Sequence, residues 1–324
     1  MYPQIASFLA MTMLNWVAGT PRVRNQNKGL TMIDRRTFLE LTATGLLAFR
    51  TASAVAGEKK QTFRTISYNV LAFRGFPRTR TTRNLLDANR EQHPEMTAEA
   101  LAAFAPDIIT LQEGPSEEVV ARFAAKLGMN YAYFPGGWKG NKTYPGGFPG
   151  AVVSRYAIEE SRNRPSAGGR HSGALFTRHL GYAKLAAPFG MLHVVSTHFH
   201  ASEHDTRMLE AAAVIDLIKQ LRETGPVLFQ GDLNHRPTDP EYALLDDANL
   251  VDVGKRAGIG EEPTASSIRP RSRIDYIRAT PDLAEKACHA AVLNTPPFIP
   301  NPDEPVSYAL SDHLPVMAEF SLMT

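Results

Sequence analysis

From Phe63 onward the chain is a series of short apolar runs rich in β-branched residues, at 65–71, 107–111, 151–154, 192–197, 227–230, 274–277 and 316–322. Apolar runs of this length, bordered by turn residues, read as strands. The segments 97–104, 116–127 and 206–221 lie between them and carry apolar residues at helical spacing, with Ser116 and Thr206 placed as N-caps. Strands and helices interleaved in this way predict a mixed α/β domain. No internal repeat and no interdomain linker interrupts it.

The chain has 324 residues, 43% hydrophobic and 21% charged, which is enough to bury a full core. Its one cysteine, Cys288, excludes an intrachain disulfide and a structural zinc built on several thiolates. The formal charge of +2 is uneven: six Lys/Arg and two acids fall in residues 1–56, which leaves 29 basic against 31 acidic residues in 57–324. The larger part has no general electrostatic attraction to polyanions, so a nucleic-acid partner would need a local basic patch.

Residues 1–56 form a separate extension. Arg35 and Arg36 precede a short apolar run at 41–49, and Ala54-Val55-Ala56 offers a small-x-small cleavage signal before Gly57. Paired arginines, a weak apolar region and A-x-A resemble a bacterial twin-arginine export signal, which predicts a periplasmic or extracellular product spanning residues 57–324. The apolar run is too short to cross a membrane, so no transmembrane span is expected. An amphipathic anchor that stays attached is the alternative, and Met32 is an alternative start.

Chemistry-bearing residues close several of the runs. Glu113 follows 107–112, a strand otherwise too apolar to finish in an acid without reason, and supplies a hard oxygen for Mg²⁺ or Mn²⁺. Asp232 and Asn234 stand at alternate positions beyond 227–230, where a carboxylate and an amide can together orient a water. Asn69 sits in a buried strand, where its amide needs a partner. His198 closes 194–198, with His200 facing the same way if the strand continues; a zinc pair there lacks a third ligand. Asp275 between apolar neighbours needs a partner, and His313 supplies one in an acid/base arrangement. Asp312, beside that histidine, is a metal ligand or a turn cap. Two loops, 74–83 and the glycine-rich 135–150, border strand ends and frame a cleft.

Taken in order, Ser67-Tyr68-Asn69-Val70, Leu111-Gln112-Glu113, Ser196-Thr197-His198, Gly231-Asp232-Leu233-Asn234, Arg273-Ile274-Asp275-Tyr276 and Ser311-Asp312-His313 resemble the endonuclease/exonuclease/phosphatase superfamily over about residues 63–322. The resemblance implies a four-layer α/β sandwich, two packed mixed sheets flanked by helices, like pancreatic deoxyribonuclease. It implies a divalent ion, Mg²⁺ or Mn²⁺, held by Glu113 with Asn69 and with Asp312 close enough to join. It also implies a water aligned by Asp232 and Asn234, charge stabilisation by His198, and acid/base work by His313 held by Asp275.

The motifs leave the substrate open. Arg74, Arg78, Arg80 and Arg83, or Arg269, Arg271 and Arg273, would line the cleft of a nuclease, whereas the acidic balance of 57–324 favours a small or lipid-derived phosphate ester. The Gly-rich stretch around Trp138 would shape a small-substrate pocket or touch lipid. A catalytically silent binding protein of the same fold is the third reading. No obligate protein partner is indicated.

Overall fold

Residues 61–77, 79–164, 175–304 and 306–322 are described by the computed structural model. The export signal expected in 1–56, and Arg78, lie outside the described residues. Among the described residues there are fourteen strands: β1 Gln61–Asn69, β2 Phe76–Pro77, β3 Ile108–Gln112, β4 Asn130–Phe134, β5 Gly150–Ser154, β6 Ala157–Asn163, β7 Leu180–Ala187, β8 Gly190–His198, β9 Val227–Asp232, β10 Val251–Asp252, β11 Asp275–Ala279, β12 Ala287–Val292, β13 Tyr308–Ala309 and β14 Val316–Leu322. Seven α-helices accompany them: α1 Arg80–Ala88, α2 His93–Ala102, α3 Glu117–Leu127, α4 His204–Leu221, α5 Pro240–Asp247, α6 Val253–Ala257 and α7 Pro281–Ala284, with short 3-10 turns at Leu71–Phe73 and Arg90–Gln92.

The strands form two six-stranded sheets, ordered β12-β14-β1-β3-β5-β4 and β10-β11-β9-β8-β7-β6, with β2 and β13 as a separate pair. In the first sheet β1 runs parallel to β3 and antiparallel to β14, and in the second β8 runs parallel to β9 and antiparallel to β7. Both sheets are therefore mixed. The parallel pairs put the C-terminal ends of β1 and β3, and of β8 and β9, at the same edge of their sheets, where the chemistry-bearing residues emerge.

Strand alternation decides what meets in the middle. Phe63, Thr65, Ser67 and Asn69 of β1 share one face: Phe63 stacks on Phe189 from the second sheet's β7–β8 turn at 4.9 Å, and Thr65 Oγ1 donates to Gln230 Oε1 at 2.8 Å. The opposite face of β1 carries Ile66 and Tyr68, which join Ala98 and Leu101 of α2 and Val120 and Phe123 of α3 in the core. Val195 of β8 and Phe229 of β9 point outward beneath Val214, Leu217 and Ile218 of α4 and Leu245 of α5. Helices thus cover both outer faces of two packed mixed sheets, the expected four-layer sandwich.

Several expected boundaries shift. Segment 74–83, read as a loop, contains β2 and the start of α1, because Thr79 and Thr82 form a reciprocal capping box that begins a helix. Helix α4 begins at His204, and Thr206, expected as its N-cap, instead donates its hydroxyl to Glu203 Oε2 at 2.9 Å. Helix α2 starts at His93, since Pro94 is tolerated in a first turn. Strands β4, β6, β7 and β12 were not expected: β6, β7 and β12 are Ala-, Gly- or charge-rich and lack β-branched runs, and β4 is a five-residue aromatic stretch, Asn-Tyr-Ala-Tyr-Phe. Three of the four are edge strands, where pairing with one neighbour and partial exposure decide the conformation.

Candidate active site

The seam between the sheets changes character along its length. At the N-terminal end of β1 it is aromatic and aliphatic. Towards the C-terminal end, Ser67, Thr110, Gln112, Ser196 and Gln230 are all fully buried polar residues. Thr110 Oγ1 donates to Ser67 Oγ at 3.2 Å, and Gln112 Nε2 reaches the same oxygen at 3.4 Å. Ser196 Oγ lies 3.0 Å from His179 Nε2, whereas Gln112 Oε1 and Gln230 Nε2 have no partner among the described residues. On top of this layer stand Asn69, Glu113, His198, Asp232, Asn234, Asp275, Asp312 and His313.

Asp232 is the centre of the group. Its Oδ2 accepts the amide N–H of Asn69 at 3.1 Å and lies 3.2 Å from His198 Nε2 and 3.7 Å from His313 Nε2. Burial would raise its pKa, but the two imidazoles and the Asn69 amide outweigh that effect and hold the carboxyl below the usual range. Its Oδ1 accepts the backbone N–H of Asn234 at 3.2 Å, and the Asn234 amide donates to the Phe199 carbonyl at 3.0 Å. Asn234 has φ of 50°, a left-handed conformation that Asn tolerates better than most residues.

His313 is oriented from below. Its Nδ1 lies 2.9 Å from Asp275 Oδ2, and that oxygen also accepts the Thr264 hydroxyl at 2.6 Å. Burial alone would lower the His313 pKa; Asp275 and Asp232 outweigh it and raise the value well above the ordinary histidine range. The imidazole therefore carries the pair's proton. Asp232, Asp275 and His313 also present ligand atoms within 4.8 Å of one another, a spacing that suits a metal.

Glu113 leaves β3 in a left-handed conformation, φ 60°, which takes it out of strand alternation and lets it face the seam beside Gln112. Its Oε1 accepts the Asn69 amide at 3.2 Å, and its Oε2 accepts the hydroxyl of Tyr144 from the glycine-rich loop. That loop folds on itself: Gly136 N donates to Gly146 O at 2.8 Å, and a Cβ on Gly136 would lie 1.6 Å from the Gly147 carbonyl. The Tyr144 and Phe148 rings stack at 4.2 Å, and Arg178 lies 5.2 Å over Phe148.

The donor set is one of hard oxygens. Glu113 and Asp232 share the Asn69 amide, and Asp312 stands in their field: burial, with the Glu113 and Asp232 charges, raises its pKa even against the opposing pull of His313. Clustered carboxylates without a thiolate fit a hard ion such as Mg²⁺ or Mn²⁺. Asn69 Oδ1 accepts the Leu71 N–H at 3.1 Å, which fixes the amide orientation and turns Nδ2 toward the acids. In this arrangement the Asn69 amide bridges Glu113 and Asp232, and its Oδ1 keeps a second lone pair beyond the Leu71 bond.

Other expected partners fall elsewhere. The strand stops at His198, and His200 turns away, its Nδ1 accepting the Glu203 N–H at 3.0 Å, so no zinc pair forms. Arg273 is buried against Asp252, 2.7 Å away, and does not line a cleft. Sequence reading missed Tyr144, Thr264 and Ser311; the Ser311 hydroxyl donates to Asn69 O at 2.6 Å and so ties the His313 segment to β1. The aromatic residues among loop glycines were the signal for Tyr144, Ser311 stood in a motif without a role of its own, and Thr264 is an ordinary polar residue with no signal.

A model of the Endonuclease/Exonuclease/phosphatase family matches residues 66–313, from β1 to the second of the paired histidines. The uncharacterised protein YbhP of Escherichia coli strain K12 is 26% identical over 268 residues, which is 80% of this chain and 96% of YbhP. An endonuclease/exonuclease/phosphatase family protein from Bacteroides thetaiotaomicron superposes with a TM-score of 0.61 at 18% identity, over 82% of this chain and 100% of that one. The 3′ phosphatase NExo from Neisseria, bound to a product DNA hairpin, superposes with a TM-score of 0.57 at 19% identity, over 80% and 100%. TDP2 from D. rerio, in complex with a single-stranded DNA product, gives 0.56 at 20% identity, over 81% and 100%. With the family model spanning the strands that carry every residue of the buried cluster, this chain belongs to the endonuclease/exonuclease/phosphatase family.

Proposed function

We propose that the chain is a divalent-metal-dependent phosphoesterase that hydrolyses a phosphodiester or phosphomonoester of a small or lipid-derived substrate by in-line attack of water. The observation that carries this reading is the convergence on one carboxylate, Asp232, of Asn69, His198 and His313 from three different strand ends. Phosphoryl transfer needs positioning and charge neutralisation more than a protein nucleophile.

Glu113 and Asp312 would hold the ion, oriented by Asn69. Bound there, Mg²⁺ neutralises charge on the phosphoryl oxygens. Asp232 accepts a proton from the attacking water while Asn234 keeps that carboxylate aligned through its backbone N–H. His198 faces the phosphoryl oxygens, and protonated His313, held by Asp275, donates a hydrogen bond or its proton to the same centre.

The test is hydrolysis by the purified chain, with Mg²⁺ and with chelator, of bis-p-nitrophenyl phosphate, p-nitrophenyl phosphate, sphingomyelin and plasmid DNA. Mg²⁺-dependent cleavage of the small or lipid esters with intact plasmid supports the reading. The second reading is a nuclease, favoured by the DNA products held by two structural neighbours, and plasmid degradation would promote it. Silence on every substrate would favour a binding protein.

We further propose that residues 57–324 are the catalytic domain and that 1–56 direct export by the twin-arginine route. No described helix is long and apolar enough to cross a membrane. An Arg35→Lys/Arg36→Lys variant retained in the cytoplasm at full length supports this, and unchanged export would overturn it.

A further inference from the structure

Asn234 belongs to two places at once. Its backbone N–H is bonded to Asp232, and it also lines an open cavity of about 620 Å³ with Arg236, Asp239, Arg269, Arg271 and Ser272. Resting on the phosphoesterase reading, we propose that this cavity is a subsite for a second phosphate group of the substrate, beside the one that is cleaved.

The charge balance of the cavity supports this. Three guanidinium groups face one carboxylate. Asp239 Oδ2 is already engaged by the Arg236 backbone N–H at 2.7 Å, and the Arg236 guanidinium reaches only Ser272 Oγ, at 3.5 Å. Arg269 and Arg271 are exposed, and neither forms an ion pair among the described residues. Their neighbour Arg273, two positions on, turns inward to a buried salt bridge with Asp252. In a chain whose residues 57–324 are slightly acidic overall, three arginines at one mouth with no carboxylate partner among the described residues create a local positive field. Guanidinium is the cation best shaped for bidentate phosphate binding.

The arginines also stand on a fixed support. Ala265 and Ser272 exchange backbone bonds at 3.0 and 2.9 Å, and Arg271 N donates to Ala265 O at 2.7 Å. The same turn is tied to the histidine segment through Ser267 N to Asp312 O and Leu314 N to Thr264 O, both 2.7 Å. A freely solvated basic loop would need neither connection. A support held in this way reduces the ordering cost of binding an anion.

A second phosphate could belong to a nucleotide or to a phosphorylated polyol headgroup, and two ligand pairs separate these sources. Calorimetry on the purified chain, in chelator so that no turnover occurs, compares adenosine 3′,5′-bisphosphate with AMP and inositol 1,4-bisphosphate with inositol 1-phosphate. The expected result is a bisphosphate preference of about tenfold in one pair, which also identifies the source. The Arg269→Ala/Arg271→Ala variant should lose that preference and still hydrolyse bis-p-nitrophenyl phosphate like the parent, which also shows that it is folded. Equal affinity within both pairs would overturn the subsite, and a preference that survives in the variant would remove it from these arginines. Failure of the parent to hydrolyse any ester would count against the phosphoesterase reading and leave the calorimetric result standing.

Discussion

The Tyr144 hydroxyl, carried on the glycine-rich loop, donates to Oε2 of Glu113 at the end of β3, thirty-one residues away in sequence. The same carboxylate gives its other oxygen to Asn69, so loop, acid and amide form one connected chain. Burial and the Glu113 charge both raise the tyrosine pKa, which keeps the phenol a donor at any ordinary pH.

Tyr144→Phe should therefore free one Glu113 oxygen without opening the core. Turnover is expected to fall on the order of tenfold, equivalent to the ~1.4 kcal/mol of one hydrogen bond to a charged group, with a higher Mg²⁺ requirement and an unchanged circular dichroism spectrum. A Mg²⁺ titration of initial rates checks this, and a superimposable curve would confine the tyrosine to packing.

His313→Ala removes the proton held over Asp232 and should lower turnover by ~10² to 10⁴-fold with the fold intact. Asp275→Asn should lower it less, because the imidazole remains but loses the carboxylate that keeps it charged. Steady-state rates of both variants beside the parent decide the order. Unchanged turnover in His313→Ala would remove this residue from the reaction.

Glu113→Gln replaces a charged oxygen donor with a neutral one while preserving shape. The Mg²⁺ concentration for half-maximal rate is expected to rise by roughly tenfold or more. An unaltered titration would place the ion elsewhere.

Glu210 makes a prediction about stability. It is fully buried on α4, its Oε2 accepts the His200 N–H at 2.7 Å, and its Oε1 has no partner among the described residues. Burial pushes its pKa up to about 8, against the pull of that N–H and of Arg178 and Arg207. A carboxyl whose folded pKa is raised contributes its full stability below the unfolded pKa near 4.5 and loses it as pH climbs to about 8. Glu210→Gln, a permanent mimic of the neutral acid, should be more stable than the parent by roughly 2 to 4 kcal/mol above that range and comparable to it at pH 4. Denaturant melts at both pH values measure the difference.

The architecture and most of the buried cluster were readable because they rest on rules that act locally. Apolar β-branched runs marked the central strands, and a polar residue closing such a run marked its exposed end. Strands β6, β7 and β12 were not readable, since alanine- and charge-rich segments become strands only when a neighbour pairs with them, and the aromatic β4 is only five residues long. The orientation of the Asn69 amide depends on the Leu71 N–H, which no motif encodes. Arg273 looked like Arg269 and Arg271 in sequence, and only the buried Asp252 separates them.

The seam between the sheets has one more consequence. Asn69 and Glu113 leave the first sheet, and His198, Asp232 and Asp275 belong to the second, with Thr65 and Gln230 pinning the two together below them. A slip of one residue along this joint would move facing groups by about 3.3 Å, more than the whole length of the bonds they make. The chemistry is thus a property of alignment, like that of a lock whose pins sit in two plates. Insertions that lengthen outer loops leave the plates in register, whereas a changed side-chain volume in the layer between them would shift the facing groups of the cluster apart.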